Sequence, residues 1–348
     1  MSVPEPTDVA PPHARLSLDD PEGRFRAVRL VTDVLKREPP QPFARATSGA
    51  PWELRLPLPP VDRFEYQLQV ADADGGLSLI LDPGAPTATG PFGPKSVFAV
   101  PSYEPPVWLD ADVPAGTVEP LELESERLGA AVTGLCWHPE GTGRQDELPL
   151  LVAHDGPELA EHACLLRYLA AAVAAGEAPP HRAALLAPVA RNEHYGASGR
   201  YAAALVEELL PALGPAGPVV GLGASLGALS LLHAHHAFPA AFAGLYLQSG
   251  SFFQAATDPW ETDFSRFGQI SRFVGRVLGG RDQAPPIPVT ITCGTAEENL
   301  ANNRALRNAL ARQDYEVELV LVRDGHTWVG WRDAFAPSLG RLLRRAWR

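Results

Sequence analysis

The chain has 348 residues and a formal net charge of −12. With 45% hydrophobic and 20% charged residues it is a folded globular protein, and its length calls for one large domain or a domain with a smaller partner. The acidic balance excludes nucleic acid as the main partner and gives no attraction to anionic membranes. Cys136, Cys164 and Cys293 are odd in number and widely spaced, which excludes a disulfide framework and offers no metal knuckle. The first twenty residues carry no basic segment followed by an apolar one, so residues 1–20 are expected to be a flexible N-terminus of a cytoplasmic protein. The uncharged run 209–242 is broken by Pro211, Pro215 and Pro218 and is too interrupted for a membrane span.

From Arg24 to Val107 short strands alternate with turn residues: FRAVRLVTDVL, WELRLPL, RFEYQLQVAD and GLSLILDP. In RFEYQLQV, Phe64, Tyr66, Leu68 and Val70 fall on one face and Glu65, Gln67 and Gln69 on the other, the pattern of a half-buried antiparallel strand. Asp72 to Gly76 supplies the following turn. No long helical period interrupts, so residues 21–117 are expected to form a small all-β sandwich, immunoglobulin-like in architecture. The Pro-rich stretches 83–91 and 101–106 are expected to be stiff extended connectors.

From about residue 118 strands alternate with helices. LPLLVAHDG reads as a strand buried on both faces, followed by a helix from Leu159 to Ala175, a strand from Ala183 to Pro188 and a helix from Tyr201 to Leu210. GPVVGLGAS, a helix over Leu226 to Ala234, and AGLYLQSG come next. PVTITCG, a helix from Asn299 to Gln313, VELVLVRDGH and a C-terminal helix complete the series. Repeated β-α units of this length predict a mostly parallel sheet covered by helices, an α/β-hydrolase domain over residues 118–348.

Gly223-Ala224-Ser225-Leu226-Gly227 is a G-x-S-x-G motif between an apolar strand and a helix, the context a nucleophile elbow requires. Small residues two before and two after let neighbouring backbone pass close, lifting the hydroxyl toward a helix N-terminus that favours developing negative charge. The bland alternative makes Ser225 the N-cap of an ordinary turn. A serine nucleophile needs a base oriented by an acid. His326, in Asp324-Gly325-His326-Thr327-Trp328 after the last strand, stands where the order Ser, acid, His places its base. His233, His235 and His236 lie toward the far end of the serine's own helix and read as surface or core histidines. The acid belongs after PVTITCG, where Glu297 is preferred over Glu298, with Asp324 and Asp333 in reserve. Oxyanion donors are expected from the N–H of Leu226 and from the turn His154-Asp155-Gly156-Pro157. Pro157 has no N–H, which leaves Gly156 or Glu158, and Gly156 is preferred.

These residues bring out a resemblance. The chain resembles the enterochelin (enterobactin) esterase family of α/β-hydrolases through LLVAHDGPE, Ala190-Arg191-Asn192-Glu193, VEELLPAL, GASLGALSLLHAHHAFPAAF, LYLQSGSFF, CGTAEENLANNRAL and DGHTWVGWRDA. Its most specific pieces are Gln248-Ser249-Gly250-Ser251-Phe252-Phe253 and the stretch from His326 through Trp331-Arg332. Leu81-Asp82-Pro83 and Gly90 to Val97 are similar to that family's N-terminal β-sandwich. The resemblance implies hydrolysis of the esters of a cyclic catecholate siderophore, with release of iron in the cytoplasm. It implies Ser225 as nucleophile, His326 as base and the acid on the Glu297 loop, with no cofactor and no metal. Arg191 would be a substrate-side cation, or else part of an ion-paired loop; Trp328 and Trp331 would line an aromatic wall or join the core. Other family members act on feruloyl or acetyl esters, so another carboxylic ester is the rival substrate, and a catalytically silent protein binding through its β-sandwich is the rival from another class. A small-molecule ester is the expected partner, and a homodimer is left open.

Overall fold

The computed structural model describes residues 13–36 and 38–348. The chain divides into two compact units, Met1–Tyr103 with Arg323–Gly325, and Glu104–Val322 with His326–Arg348.

The first unit is all-β and antiparallel. β1 (His13–Leu18) pairs with β4 (Trp52–Pro57) as a two-stranded ribbon. The second sheet runs β3 (Gln41–Pro42), β2 (Phe25–Thr32), β5 (Arg63–Asp72), β8 (Gly93–Ala99), β7 (Thr87–Gly90), with β6 (Leu77–Ile80) also paired to β5. β5 has the expected alternation: Phe64, Tyr66, Leu68 and Val70 are all buried. The turn after it is closed by Asp72, whose carboxylate accepts the N–H groups of Asp74 and Gly76.

Two expectations need correction here. Residues 1–12 lie outside the described residues, but His13–Leu18 is a strand and no part of a flexible terminus, because Ala14, Leu16 and Leu18 alternate into the interior. The Pro-rich stretch 83–91 contains β7 and is no mere connector. Its prolines flank the strand, and the Pro86 carbonyl accepts the Val97 N–H at 2.8 Å. The short segment Arg323–Gly325 is internal to this unit: Arg63 donates to Asp324 and to Glu65, each at 2.9 Å. Burial pushes the Asp324 carboxyl up to about 6 against the pull of Arg63.

The second unit carries an eight-stranded sheet. Its strands are β9 (Thr117–Ser125), β10 (Ala130–His138), β11 (Leu150–His154), β12 (Arg182–Leu186), β13 (Val219–Ala224), β14 (Phe242–Gln248), β15 (Val289–Gly294) and β16 (Val317–Val322). The spatial order is β16-β15-β14-β13-β11-β12-β10-β9, antiparallel where β10 meets β9 and β12, and parallel elsewhere. β11, β12, β13 and β15 are buried along their whole length and β14 at every residue but Ala243, as strands covered on both faces must be. The helices are α1 (Gly156–His162), α2 (Leu165–Ala174), α3 (Arg191–Tyr195), α4 (Gly199–Ala204), α5 (Leu210–Leu213), α6 (Leu226–Ala237), α7 (Phe267–Leu278), α8 (Leu300–Ala311), α9 (Trp328–Asp333) and α10 (Ser338–Ala346). This is the mostly parallel α/β arrangement that the β-α alternation predicts.

The helix expected over Leu159 to Ala175 is two helices, because Cys164 takes a left-handed conformation with φ 53° between α1 and α2. The expected division at 117/118 moves to 103/104. The turn Val107–Asp110 buries Trp108 against Tyr168 and Phe335, with ring centroids 5.3 and 6.4 Å apart, so this stretch belongs to the α/β core. No helix among the described residues is long and apolar enough to cross a membrane.

The core also stores histidines. His154, His181 and His235 are fully buried, and burial pushes each ring down to about 4. His235 bonds Tyr315, and His236, lowered by burial as well, meets Asp282. Among the described residues no group of three potential metal ligands gathers, at these histidines or elsewhere. A base whose folded pKa lies below its unfolded value near 6.5 adds stability that is full above 6.5 and lost as pH falls toward 4. Each fully buried ring then contributes stability that is withdrawn across that window. Urea denaturation at pH 7, 6, 5 and 4.5 should show the midpoint falling as pH drops below 6.5; a flat midpoint would contradict this assignment.

Candidate active site

The G-x-S-x-G turn adopts the strained geometry that its spacing predicts. Ser225 has φ 55° and ψ −121°, and its side chain makes no capping bond to α6, which removes the N-cap alternative. The first flanking glycine is required sterically: a Cβ on Gly223 would lie 2.6 Å from the Gly227 carbonyl carbon, while one on Gly227 would stand a tight 3.1 Å from the His154 Cβ. The turn is tied down by its neighbours. Ser225 N–H donates to the Gln248 carbonyl at 2.9 Å, and Ser251 N–H donates to the Ser225 carbonyl at 3.2 Å. Ser225 Oγ lies 3.1 Å from Ser251 Oγ. Ser251 was not singled out for chemistry in the sequence, although it sits inside the Gln248–Phe253 stretch that carries the resemblance.

Glu297, on the loop after β15, meets His326: its Oε2 accepts from His326 Nδ1 at 2.9 Å. Its other oxygen accepts from the Gly294 N–H and the Ser249 hydroxyl, both at 2.7 Å. Three donors thus hold a carboxylate that is 1% exposed, and a buried carboxylate needs such partners. A carboxylate on Nδ1 puts the proton there and leaves Nε2 as the basic nitrogen. Trp331 completes the surround, donating to Ser249 Oγ at 3.0 Å and standing edge-on to the His326 ring at 5.0 Å. Glu298 does not make this contact with His326, Asp324 is taken by Arg63, and Asp333 by Arg332. Trp331 is core. Trp328 is half-buried, with its ring between those of His162 and Trp331.

The turn after β11 is equally constrained. Asp155 is left-handed at φ 50°. A Cβ on Gly156 would lie 2.4 Å from Leu185 Cα, so only glycine fits against β12. Arg191 reaches this turn from α3 and forms a two-pronged pair with Asp155, Nε to Oδ1 at 2.9 Å and Nη2 to Oδ2 at 2.8 Å. Asp155 and the burial of the pair's surroundings act in opposite directions on the guanidinium, and Asp155 leaves it above its ordinary value. Glu193 pairs with Arg266. The ion-paired reading of this loop therefore describes both side chains.

With that geometry in view, comparison with known proteins is informative. No family model matches the chain. The iron(III) enterobactin esterase of Dickeya dadantii is 29% identical over 220 residues, 58% of this chain and 50% of that protein, so the chain spans about half the length of the curated relative it matches. The enterobactin esterase of Shigella flexneri, solved in the presence of 2,3-di-hydroxy-N-benzoyl-glycine, superposes with a TM-score of 0.75 at 20% identity over 97% of this chain and 94% of that one. The ferric enterobactin esterase of Salmonella typhimurium gives 0.75 at 22% identity over 95% and 93%. The chain has the fold of the enterobactin esterases. A ferulic acid esterase is also similar, with a TM-score of 0.55 at 18% identity over 66% of this chain and 98% of that one.

The Gly156 contact gives a direct test of the turn. Gly156→Ala drives a methyl into the β12 backbone, which cannot rotate away, and should cost about 2–3 kcal/mol. A thermal melt should show a drop of roughly 4–12 °C, and a melt within one degree of the parent would disprove the close approach.

Proposed function

We propose that the protein is a serine esterase whose nucleophile, base and acid are Ser225, His326 and Glu297. The observation that carries the reading is the Glu297–His326 pair: a buried, triply bonded carboxylate on Nδ1 of a one-third-exposed imidazole, in a fold whose strained G-x-S-x-G turn presents Ser225. In the proposed cycle Ser225 Oγ attacks the ester carbonyl while His326 Nε2 takes the hydroxyl proton. The tetrahedral oxyanion is held by the N–H groups of Leu226 and Gly156. The alcohol leaves with the proton from His326, and the acyl-enzyme is opened by water that His326 deprotonates. Glu297 holds the tautomer and stabilises the imidazolium without being protonated.

The proposed substrate is a catecholate siderophore ester hydrolysed inside the cell to free its iron. The likeness of fold to enterobactin esterases and the partial match to the Dickeya dadantii protein support that choice. In this reading Trp328 forms part of the acyl wall, and the Arg191 N–H groups beyond those on Asp155 face a substrate oxygen. The feruloyl esters form the second reading, favoured by the ferulic acid esterase likeness over two thirds of the chain.

Hydrolysis of p-nitrophenyl butyrate should be lost by at least about 10³-fold in Ser225→Ala and His326→Ala, and by a comparable factor in Glu297→Gln. An inactive parent protein would reject the esterase reading and leave the silent binder. Comparing kcat/KM on ferric and iron-free enterobactin with methyl ferulate tests the substrate: selectivity for ferulate by orders of magnitude would reject the siderophore.

A further inference from the structure

His154 is buried beside the site and has no role in the cycle above. It closes β11, one residue before the Asp155–Gly156 turn, with no solvent exposure. Its Nδ1 lies 3.2 Å from the Gly227 carbonyl and its Nε2 lies 3.0 Å from the Tyr201 hydroxyl. A carbonyl can only accept, so Nδ1 carries the proton and Nε2 accepts from Tyr201. The ring is stacked on Tyr195, centroids 4.5 Å apart and planes 15° from parallel.

These contacts join two pieces of backbone that must be held at a set distance. Gly227 follows Leu226 in the first turn of α6, and Gly156 follows His154 by two residues. The packing between them is close: a Cβ on Gly227 would stand 3.1 Å from the His154 Cβ and 3.5 Å from Asp155 Oδ2. From the other side Arg191 grips Asp155 with two hydrogen bonds while lying 5.8 Å over the Tyr195 ring. Tyr195 therefore supports both His154 and Arg191.

We infer that His154 is a positioning residue of the oxyanion hole, a neutral imidazole bridge that sets the spacing between the Leu226 and Gly156 N–H groups. Arg191 locks the turn that the bridge leaves open. The inference rests on the esterase reading, because the spacing matters only if both N–H groups receive an oxyanion. It makes His154 act through backbone donors without touching substrate. Its loss raises the barrier where charge develops and leaves ground-state ester binding alone.

The test is a kinetic series on the full chain with p-nitrophenyl butyrate and an alkyl trifluoromethyl ketone, whose hemiketal oxygen occupies the proposed hole. His154→Phe keeps the stacked ring and removes the bridge. It should lower kcat about 10- to 100-fold with KM within twofold, and weaken the ketone Ki by the same factor as kcat. His154→Asn restores a donor at the Nδ1 position and should recover most of the loss in both quantities. If His154→Phe fails to fold, His154→Asn and Tyr201→Phe carry the test. Tyr201→Phe frees Nε2 and should lower kcat and weaken the ketone in parallel. The imidazole nitrogen NMR signals of His154 in the parent protein should show the Nδ1–H tautomer. Parent-like kcat and Ki in His154→Phe, or a loss confined to KM, or an Nε2–H tautomer, each overturns the inference while the esterase reading stands. A parent protein without esterase activity overturns the esterase reading and this inference with it.

Discussion

One backbone constraint organises the second unit: the chain must reverse from β13 into α6 within a single residue. That forces Ser225 to φ 55°, a conformation costly for any residue but glycine. The turn survives because its surroundings over-determine it. Gly223 removes a side chain that would collide with the Gly227 backbone, and the strand on one side and the Ser249–Ser251 loop on the other bond the serine's own amide and carbonyl. Because the Gln248 carbonyl is used in this way, the end of β14 is held against the elbow. The loop that follows β14 then carries Ser249 to the Glu297 carboxylate and Ser251 to the Ser225 hydroxyl.

The carboxylate illustrates how such a site resists burial cost. Glu297 is almost wholly removed from water, yet a backbone N–H, a hydroxyl and an imidazole N–H divide its two oxygens among them. Ser249 in turn receives the indole N–H of Trp331, so the network runs from β15 through the loop after β14 to α9. Removing one member leaves another buried polar atom without its partner, so these residues act as a unit.

Histidine is used here in two opposite ways. His326 keeps a third of its side chain in solvent and holds a carboxylate on Nδ1. His154, His181 and His235 are wrapped in protein, where burial holds them neutral. A neutral imidazole is a directional donor and acceptor at fixed separation, which suits His154 to joining the Gly227 carbonyl and the Tyr201 hydroxyl.

The order of β-α units, the buried strands around the elbow, the alternating face of β5, and the choice of Ser225 and His326 for the candidate site could all be read from the sequence, since periodicity and short motifs are local properties. The alternation of Leu121, Leu123 and Ser125 marks β9, and the spacing of Phe267, Ile270, Phe273 and Val277 marks α7. Other features are not local. Glu297 and Glu298 are chemically identical neighbours, and only the direction in which the loop after β15 faces His326 separates them. Nothing in the order of residues says that Arg191 will meet Asp155, 36 positions away, or that Ser251 will touch the serine 26 positions before it. Those pairings are made by the packing of β12, β11, β13 and β14 side by side in one sheet. The sequence by itself thus determined which residues are able to do chemistry and on which elements they ride. The tertiary structure decided which of them meet, because hydrogen bonds of 3 Å depend on distances that only the assembled sheet and its packed helices can set.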